Sequence, residues 1–124
     1  MAVEIENVTS AEQQQVRDAI EEALRRIRTA IPSIEMENCI RKRARGNGKI
    51  VNGGAECEED PNCLGYHGWY GLGPFKVKSD DIHVCLGNIR RLGTDLSATI
   101  AHEWAHSCCW PEGGGGGVPS GGHW

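Results

Sequence analysis

Five residues near the C-terminal end, His102-Glu103-Trp104-Ala105-His106, hold the side chains best suited to chemistry in this sequence. On a helix, residues four apart lie about one turn apart, so both imidazoles point from one face and can reach one ion at about 2.0–2.1 Å. Glu103 sits one position from the first imidazole, too far round the helix to join the pair comfortably. It is placed instead to take a proton from a water at the metal and to return it to a departing amine. A divalent ion lowers the pKa of such a water towards about 7 and polarises a neighbouring carbonyl. The pattern therefore predicts amide-bond hydrolysis of a protein or peptide substrate, with Glu103 as general base. Imidazole ligands beside a hydrolytic base favour Zn2+ as the cofactor.

A catalytic zinc takes three protein ligands and keeps a fourth position open. Past His106 the candidates are Glu112, His123 and the sulfurs of Cys108 and Cys109. The two cysteines extend the ligand face poorly and a thiolate makes zinc less acidic, so they are read as packing or disulfide residues. Glu112 needs a tight return at Cys109, where no glycine helps. His123 follows a stretch rich in glycine, from Gly113 to Gly122, that can close back almost anywhere. The expected metal set is His102, His106 and His123, with Glu112 as the alternative. If both closed the site, the zinc would be fully coordinated and the chain a non-catalytic binding or structural module, a reading that an intact Glu103 argues against.

The elements that must position these residues read as follows. Thr9-Ser10-Ala11-Glu12 has capping-box spacing, and Val16, Ile20, Leu24, Ile27 and Ile31 recur every three or four residues until Pro32, which predicts one long amphipathic helix. Lys49-Ile50-Val51 reads as a short strand; Asn52-Gly53-Gly54 and Asp60-Pro61-Asn62 read as turns. Gly65 to Gly73 reads as a surface loop carrying Tyr66, His67, Trp69 and Tyr70. Phe75 to Lys78 and Ile82 to Leu86 alternate with period two, and with Ser79-Asp80-Asp81 as a turn they predict two antiparallel strands. Thr94-Asp95 starts a second helix, with Leu96, Ile100, Trp104 and Cys108 as its buried stripe, that must stop before Pro111.

The 124 residues fit one domain, 1–124, of α+β class. The six cysteines, Cys39, Cys57, Cys63, Cys85, Cys108 and Cys109, reinforce a glycine-rich chain, as disulfides in an oxidising compartment or as a second metal site in a reducing one. A net charge of −4 does not favour nucleic-acid binding. The basic run Arg41 to Arg45 reads as a solvated loop or strand end that the acidic stretch Glu56 to Asp60 could face. No apolar stretch predicts a membrane span, and the N-terminus lacks signal-peptide character, so export needs another route or a removed leader, and the abrupt start fits a domain cut from a longer chain.

The helix resembles the active-site helix of the zincin metallopeptidases. Ile82-His83-Val84-Cys85 through Ala98-Thr99-Ile100-Ala101-His102-Glu103-Trp104-Ala105-His106 is similar to the aspzincin, or deuterolysin-type, pattern, although that branch takes its third ligand from an aspartate and none follows His106. The tail from Trp110 to His123-Trp124 looks more like the SprT or Spartan type, in which a ligand histidine ends a loop after the helix. The resemblance implies a zincin-like fold, its active-site helix under a small twisted sheet, with an edge strand that receives extended peptide by backbone pairing. Phe75 to Lys78 or Lys49 to Val51 would be that edge. It also implies a transition-state donor opposite Glu103, for which Tyr66, His67 and Tyr70 are the candidates. An alternative reading within the same enzyme class, by analogy, makes the chain the toxic tip of a larger secreted bacterial effector, with a parent polypeptide or an immunity or inhibitor protein as partner.

Overall fold

Thr9 stops its own strand-like backbone from continuing and starts the longest helix: its Oγ1 accepts from the Glu12 amide at 3.1 Å while Glu12 Oε1 accepts from the Thr9 amide at 2.9 Å. The capping box expected there is thus formed, in a computed structural model that describes residues 3–31, 33–46, 48–70 and 77–108. Helix α1 runs Ser10–Ala30 and buries Val16, Ile20, Ala23 and Ile27. Ile31, which precedes Pro32, is already extended, because the proline ring disfavours helical backbone in the residue before it. A further helix, α2, spans Ile34–Ala44, with Ser33 Oγ capping the Met36 amide and Met36, Ile40 and Ala44 buried one turn apart.

The basic run is therefore not a loop or strand end. Arg41, Lys42 and Arg43 form the last turn of α2, where cations suit the helix C-terminus. Arg41 pairs with Glu37 at 3.0 Å and donates to the Leu24 carbonyl, and Arg43 donates to Ser107.

Four strands follow: β1 (Glu4–Glu6), β2 (Lys49–Asn52), β3 (Gly65–Tyr70) and β4 (Val77–Val84). They form one mixed sheet in the order β1-β2-β4-β3, with β1, β2 and β4 parallel and β3 antiparallel to β4. Three expectations are corrected. Ser79-Asp80-Asp81 is no turn but lies inside β4, where Asp81 Oδ1 accepts the Lys49 amide at 3.0 Å and gives a polar residue a reason to be in a strand. The antiparallel partner of β4 is Gly65–Tyr70, a strand where a loop was expected. Lys49 to Val51 belongs to an interior strand and the outermost strands are β1 and β3, whereas Val77 and Lys78 pair with β3 alone, beyond the stretch of β4 that β2 covers; Phe75 and Lys76 lie outside the described residues.

Leu86 leaves the sheet and opens a short helix, α4 (Leu86–Leu92), which ends on Gly93 at φ +68°, a left-handed cap that glycine adopts at least cost. Another short helix, α3 (Ala55–Glu59), precedes β3. Last comes α5 (Leu96–Ser107), which packs on β3 and β4 on one side and on α1 and α2 on the other. The core joins Val16, Ile20 and Ile27 of α1 and Ile40 of α2 with Ile50, Ile82 and Val84 of the sheet, around Ile100 and Trp104 of α5. The described residues thus make one α+β unit. None of their helices is long and apolar enough to cross a membrane.

Asp95 caps α5 as the sequence predicts: its Oδ1 accepts the Ser97 amide at 3.0 Å and hydroxyl at 2.7 Å, while Oδ2 takes Arg26 Nη1 at 2.8 Å from α1. Burial pulls the Asp95 carboxyl up, but the Ser97 and Arg26 hydrogen bonds outweigh it and hold the group below the usual carboxylate value. A group depressed in this way stabilises the fold above its unfolded value of about 3.9 and loses that contribution as pH falls through the lower folded value. Asp95→Ala is expected to cost about 0.5–2 kcal/mol at neutral pH in urea unfolding. The gap between wild type and variant should stay constant down to about pH 5 and close below about pH 4. A gap that widens on acidification contradicts this reading of the cap.

Candidate active site

The two expected ligand histidines come from one face of α5, and their Nε2 atoms lie 2.9 Å apart with the rings at 87°. His106 is 4 % exposed and His102 half-buried. Two nitrogens on a tetrahedral zinc stand about 3.3 Å apart, given bonds of about 2.0–2.1 Å, so a small opening of this pair accommodates the ion. The donor set fits zinc.

Glu103, the expected base, is also buried on α5, at 8 % exposure. A lone carboxylate there would be costly, since removing an ionised group from water without a partner disfavours the charged form strongly. Its partner is His67 of β3, whose Nδ1 lies 3.0 Å from Glu103 Oε1, with both side chains about nine-tenths buried. The His67 ring stands edge-on to His106, centroids 5.3 Å apart. Its other nitrogen, Nε2, is buried with no hydrogen-bond partner among the described residues. A buried nitrogen left unpaired costs about 1–3 kcal/mol, which a substrate group, a water or an ion at the site can recover.

Strand alternation explains why His67 reaches this site and its neighbour does not. In the β3–β4 register His67 faces fully buried Ile82, on the side that α5 covers, while Tyr66 faces His83 on the opposite side. There Tyr66 stacks on His83 with ring centroids 4.3 Å apart, and its hydroxyl donates to the Gly53 carbonyl. Of the three expected transition-state donors, His67 is at the site, Tyr66 is directed away from it, and the Tyr70 side chain lies outside the description.

The approach of β3 to α5 depends on Gly65. A Cβ there would meet the His83 carbonyl at 2.8 Å, Thr99 Cγ2 at 3.1 Å and Glu103 Cγ at 3.2 Å. A larger residue must shift the β3–β4 backbone at the His83 carbonyl and crowds Thr99 and Glu103 of α5 by a few tenths of an ångström.

The far end of α5 is fastened to α2. Cys108, its C-cap, forms a disulfide with Cys39, and Arg43 donates from Nε to Ser107 Oγ at 2.9 Å and from Nη2 to the Ser107 carbonyl at 3.1 Å. Both bonds lie one or two residues from His106 and so fix its turn. Cys108 is thus the disulfide residue it was read to be. Cys109, Glu112 and His123 lie outside the described residues.

A second cluster bears on the expectation that the cysteines serve as disulfides or as a second metal site, although spacing did not say which of them group. Cys57 and Cys85 form a disulfide, and the Cys63 thiol lies 3.7 Å from Cys85 Sγ. Among the described residues Cys57, Cys63 and Cys85 form the one group of three or more ligating side chains whose donor atoms all lie within 4.8 Å, and such a group could hold a metal ion. Burial, then the Glu56, Asp60 and Glu103 carboxylates, push the Cys63 thiol above its ordinary pKa. The two disulfides are compatible with an extracellular protein.

No family model, curated protein or solved structure matches the chain.

The disulfide at the end of α5 closes a sequence separation of 69 residues, a span for which the lost chain entropy is worth a few kcal/mol. Cys39→Ser is expected to lower unfolding stability by about 2–5 kcal/mol under oxidising conditions. Equilibrium denaturation that shows no loss would mean that α2 and α5 hold His106 in place without the bridge.

Proposed function

We propose that this chain is a zinc-dependent endopeptidase of zincin type, with His102 and His106 as metal ligands and Glu103 as general base. The observation that carries the reading is the buried Glu103 carboxylate beside two converging imidazole nitrogens, paired with His67 from the neighbouring strand. A carboxylate needed only for stability is rarely kept in such a place, whereas a proton-transferring group needs this placement beside the reacting centre. His123, with Glu112 as the alternative, is the proposed third ligand.

When bound, zinc would supply an acidified water and a polarised carbonyl. The chain's own groups divide the remaining work. Glu103 accepts the water's proton and passes it to the leaving amine. His67 is a positioning residue: by donating from Nδ1 to Oε1 it holds the carboxylate in one rotamer, so Glu103 Oε2 is left to handle the proton. Its unpartnered Nε2 gives a polar contact for the substrate at the same place. Because β3 is an edge strand, its outer side offers backbone groups to an extended peptide, which would pair with it as a further strand and pass over α5. The bulge between His67 and Trp69 breaks the β3–β4 pairing next to the site, where strand bulges often re-aim a side chain.

Glu103→Gln is expected to reduce hydrolysis of an unfolded protein substrate by about 10²–10⁴-fold, since the amide keeps the volume but cannot take a proton. His67→Ala should lower kcat by about 10–100-fold with little change in KM, as expected for a group acting through Glu103. Full activity in Glu103→Gln overturns the proposal, and a His67→Ala enzyme that keeps its kcat, or loses activity through KM alone, removes His67 from its role.

A further inference from the structure

The cysteines that the hydrolytic reading leaves unused sit around one point. We propose that Cys57, Cys63 and Cys85 form a redox-gated site for a soft divalent cation such as zinc, closed while Cys57 and Cys85 are bonded to each other and open once that bond is reduced.

Three observations carry this. The first is spacing. Two thiolates on a tetrahedral zinc, each at about 2.3 Å, stand about 3.8 Å apart. Cys63 and Cys85 are already 3.7 Å apart, and all three sulfurs lie within 4.8 Å of one another. Only the bonded pair must separate.

The second is that the site does not depend on the disulfide for its assembly. Asn88 of α4 donates from Nδ2 to the carbonyls of Cys57 (3.2 Å), Asp60 (3.2 Å) and Cys63 (3.0 Å), and Arg91 adds a contact to the Pro61 carbonyl. Within the loop, the Cys63 amide bonds to the Asp60 carbonyl and the Asn62 amide to Asp60 Oδ1. The segment from Cys57 to Cys63 is therefore tied to α4, beside Cys85, by hydrogen bonds that reduction leaves intact.

The third is charge. An open recess of about 260 Å³ beside Cys63 is lined by Glu56, Glu59 and Asp60. These carboxylates make the neighbourhood of the cluster favourable for a cation, and three sulfurs leave the fourth position of a tetrahedral ion to water.

The steps balance. A dithiol reductant gives two electrons and two protons to the Cys57–Cys85 bond, leaving two thiols and the reductant's own disulfide. The cation then displaces one proton from each of the three thiols, and metal binding of this kind strengthens as pH rises. The consequence is a chain held by a covalent bond in an oxidising compartment and by a metal in a reducing one, at the point where the polypeptide enters β3 two residues before Gly65.

The test uses the full wild-type chain and Co2+ as an optical probe. Thiolate sulfur gives an intense near-ultraviolet charge-transfer band that imidazole ligands do not, so the readout is silent about His102 and His106 and stands or falls apart from the peptidase reading. The oxidised chain should show no band. The chain treated anaerobically with a phosphine or dithiol reductant should develop one, saturating at one equivalent of Co2+ and bleached by Zn2+. Cys63→Ser should abolish or strongly weaken it, and Cys39→Ser should leave it unchanged. Cys63 is not in a disulfide, so its variant folds as the oxidised parent does. No band after reduction, a band that survives Cys63→Ser, or one lost in Cys39→Ser overturns the proposal. So does loss of the far-ultraviolet helical signal when Cys39→Ser, folded while oxidised and already without the α2–α5 bridge, is reduced, because the Asn88 hydrogen bonds are then insufficient to keep the site assembled.

Discussion

A helix of 12 residues with ten of them buried imposes the constraint on which this structure turns. Covered by β3 and β4 on one side and by α1 and α2 on the other, α5 has almost no face left for water. Its apolar members, Leu96, Ile100 and Trp104, meet that demand by filling the core. Its polar members cannot, and each must find a partner inside the protein or forfeit the hydration it has lost. Ser97 and Thr99 return to Asp95, and His106 meets His102. Glu103 has to be met from outside the helix, and His67 of β3 meets it. The pairing is thus a requirement of burial, whatever chemistry the proposed site performs.

The same constraint orders the rest of the fold. To bring His67 to Glu103, β3 must lie almost in contact with α5, which Gly65 permits by having no side chain. To keep α5 in that position, each end is fastened to a different helix: Asp95 to Arg26 of α1, and Cys108 with Ser107 to Cys39 and Arg43 of α2. Close packing explains why small changes at these distant points should be felt at the site, since a displacement of under an ångström in a packed interior has nowhere to dissipate. The sulfur cluster lies on the same strand entry, so its state bears on where β3 begins.

Helices α1 and α5 were legible in the sequence because each combines a side-chain cap with a long apolar period, and both signals are local. The middle of the chain was not. Helix α2 is short, its apolar positions Met36, Ile40 and Ala44 are few, and its charges resemble a solvated run until the helix C-terminus is seen to hold them. Strand β3 was hidden by its glycines, which argue for a loop in isolation and for close approach only once α5 is in place. Ser79-Asp80-Asp81 looks like a turn because the bond that retains Asp81 in a strand comes from Lys49, 32 residues away. For the site, the motif itself fixed His102, Glu103 and His106 on one helix. His67 stood among three candidates, and only the alternation of β3 against Ile82 and His83 separated it from Tyr66. Disulfide partners and the grouping of Cys57, Cys63 and Cys85 are long-range facts that no spacing encodes.

The most direct measurement is the metal content of the oxidised full chain, purified without chelator and determined by elemental analysis. The account predicts about one zinc per chain, retained when Glu103 is replaced by glutamine and lost when His106 is replaced by alanine. Loss in His123→Ala would establish the tail histidine as the third ligand, and retention would move that role to Glu112. Wild-type protein without zinc would contradict the central claim that the paired imidazoles of α5 form a metal centre.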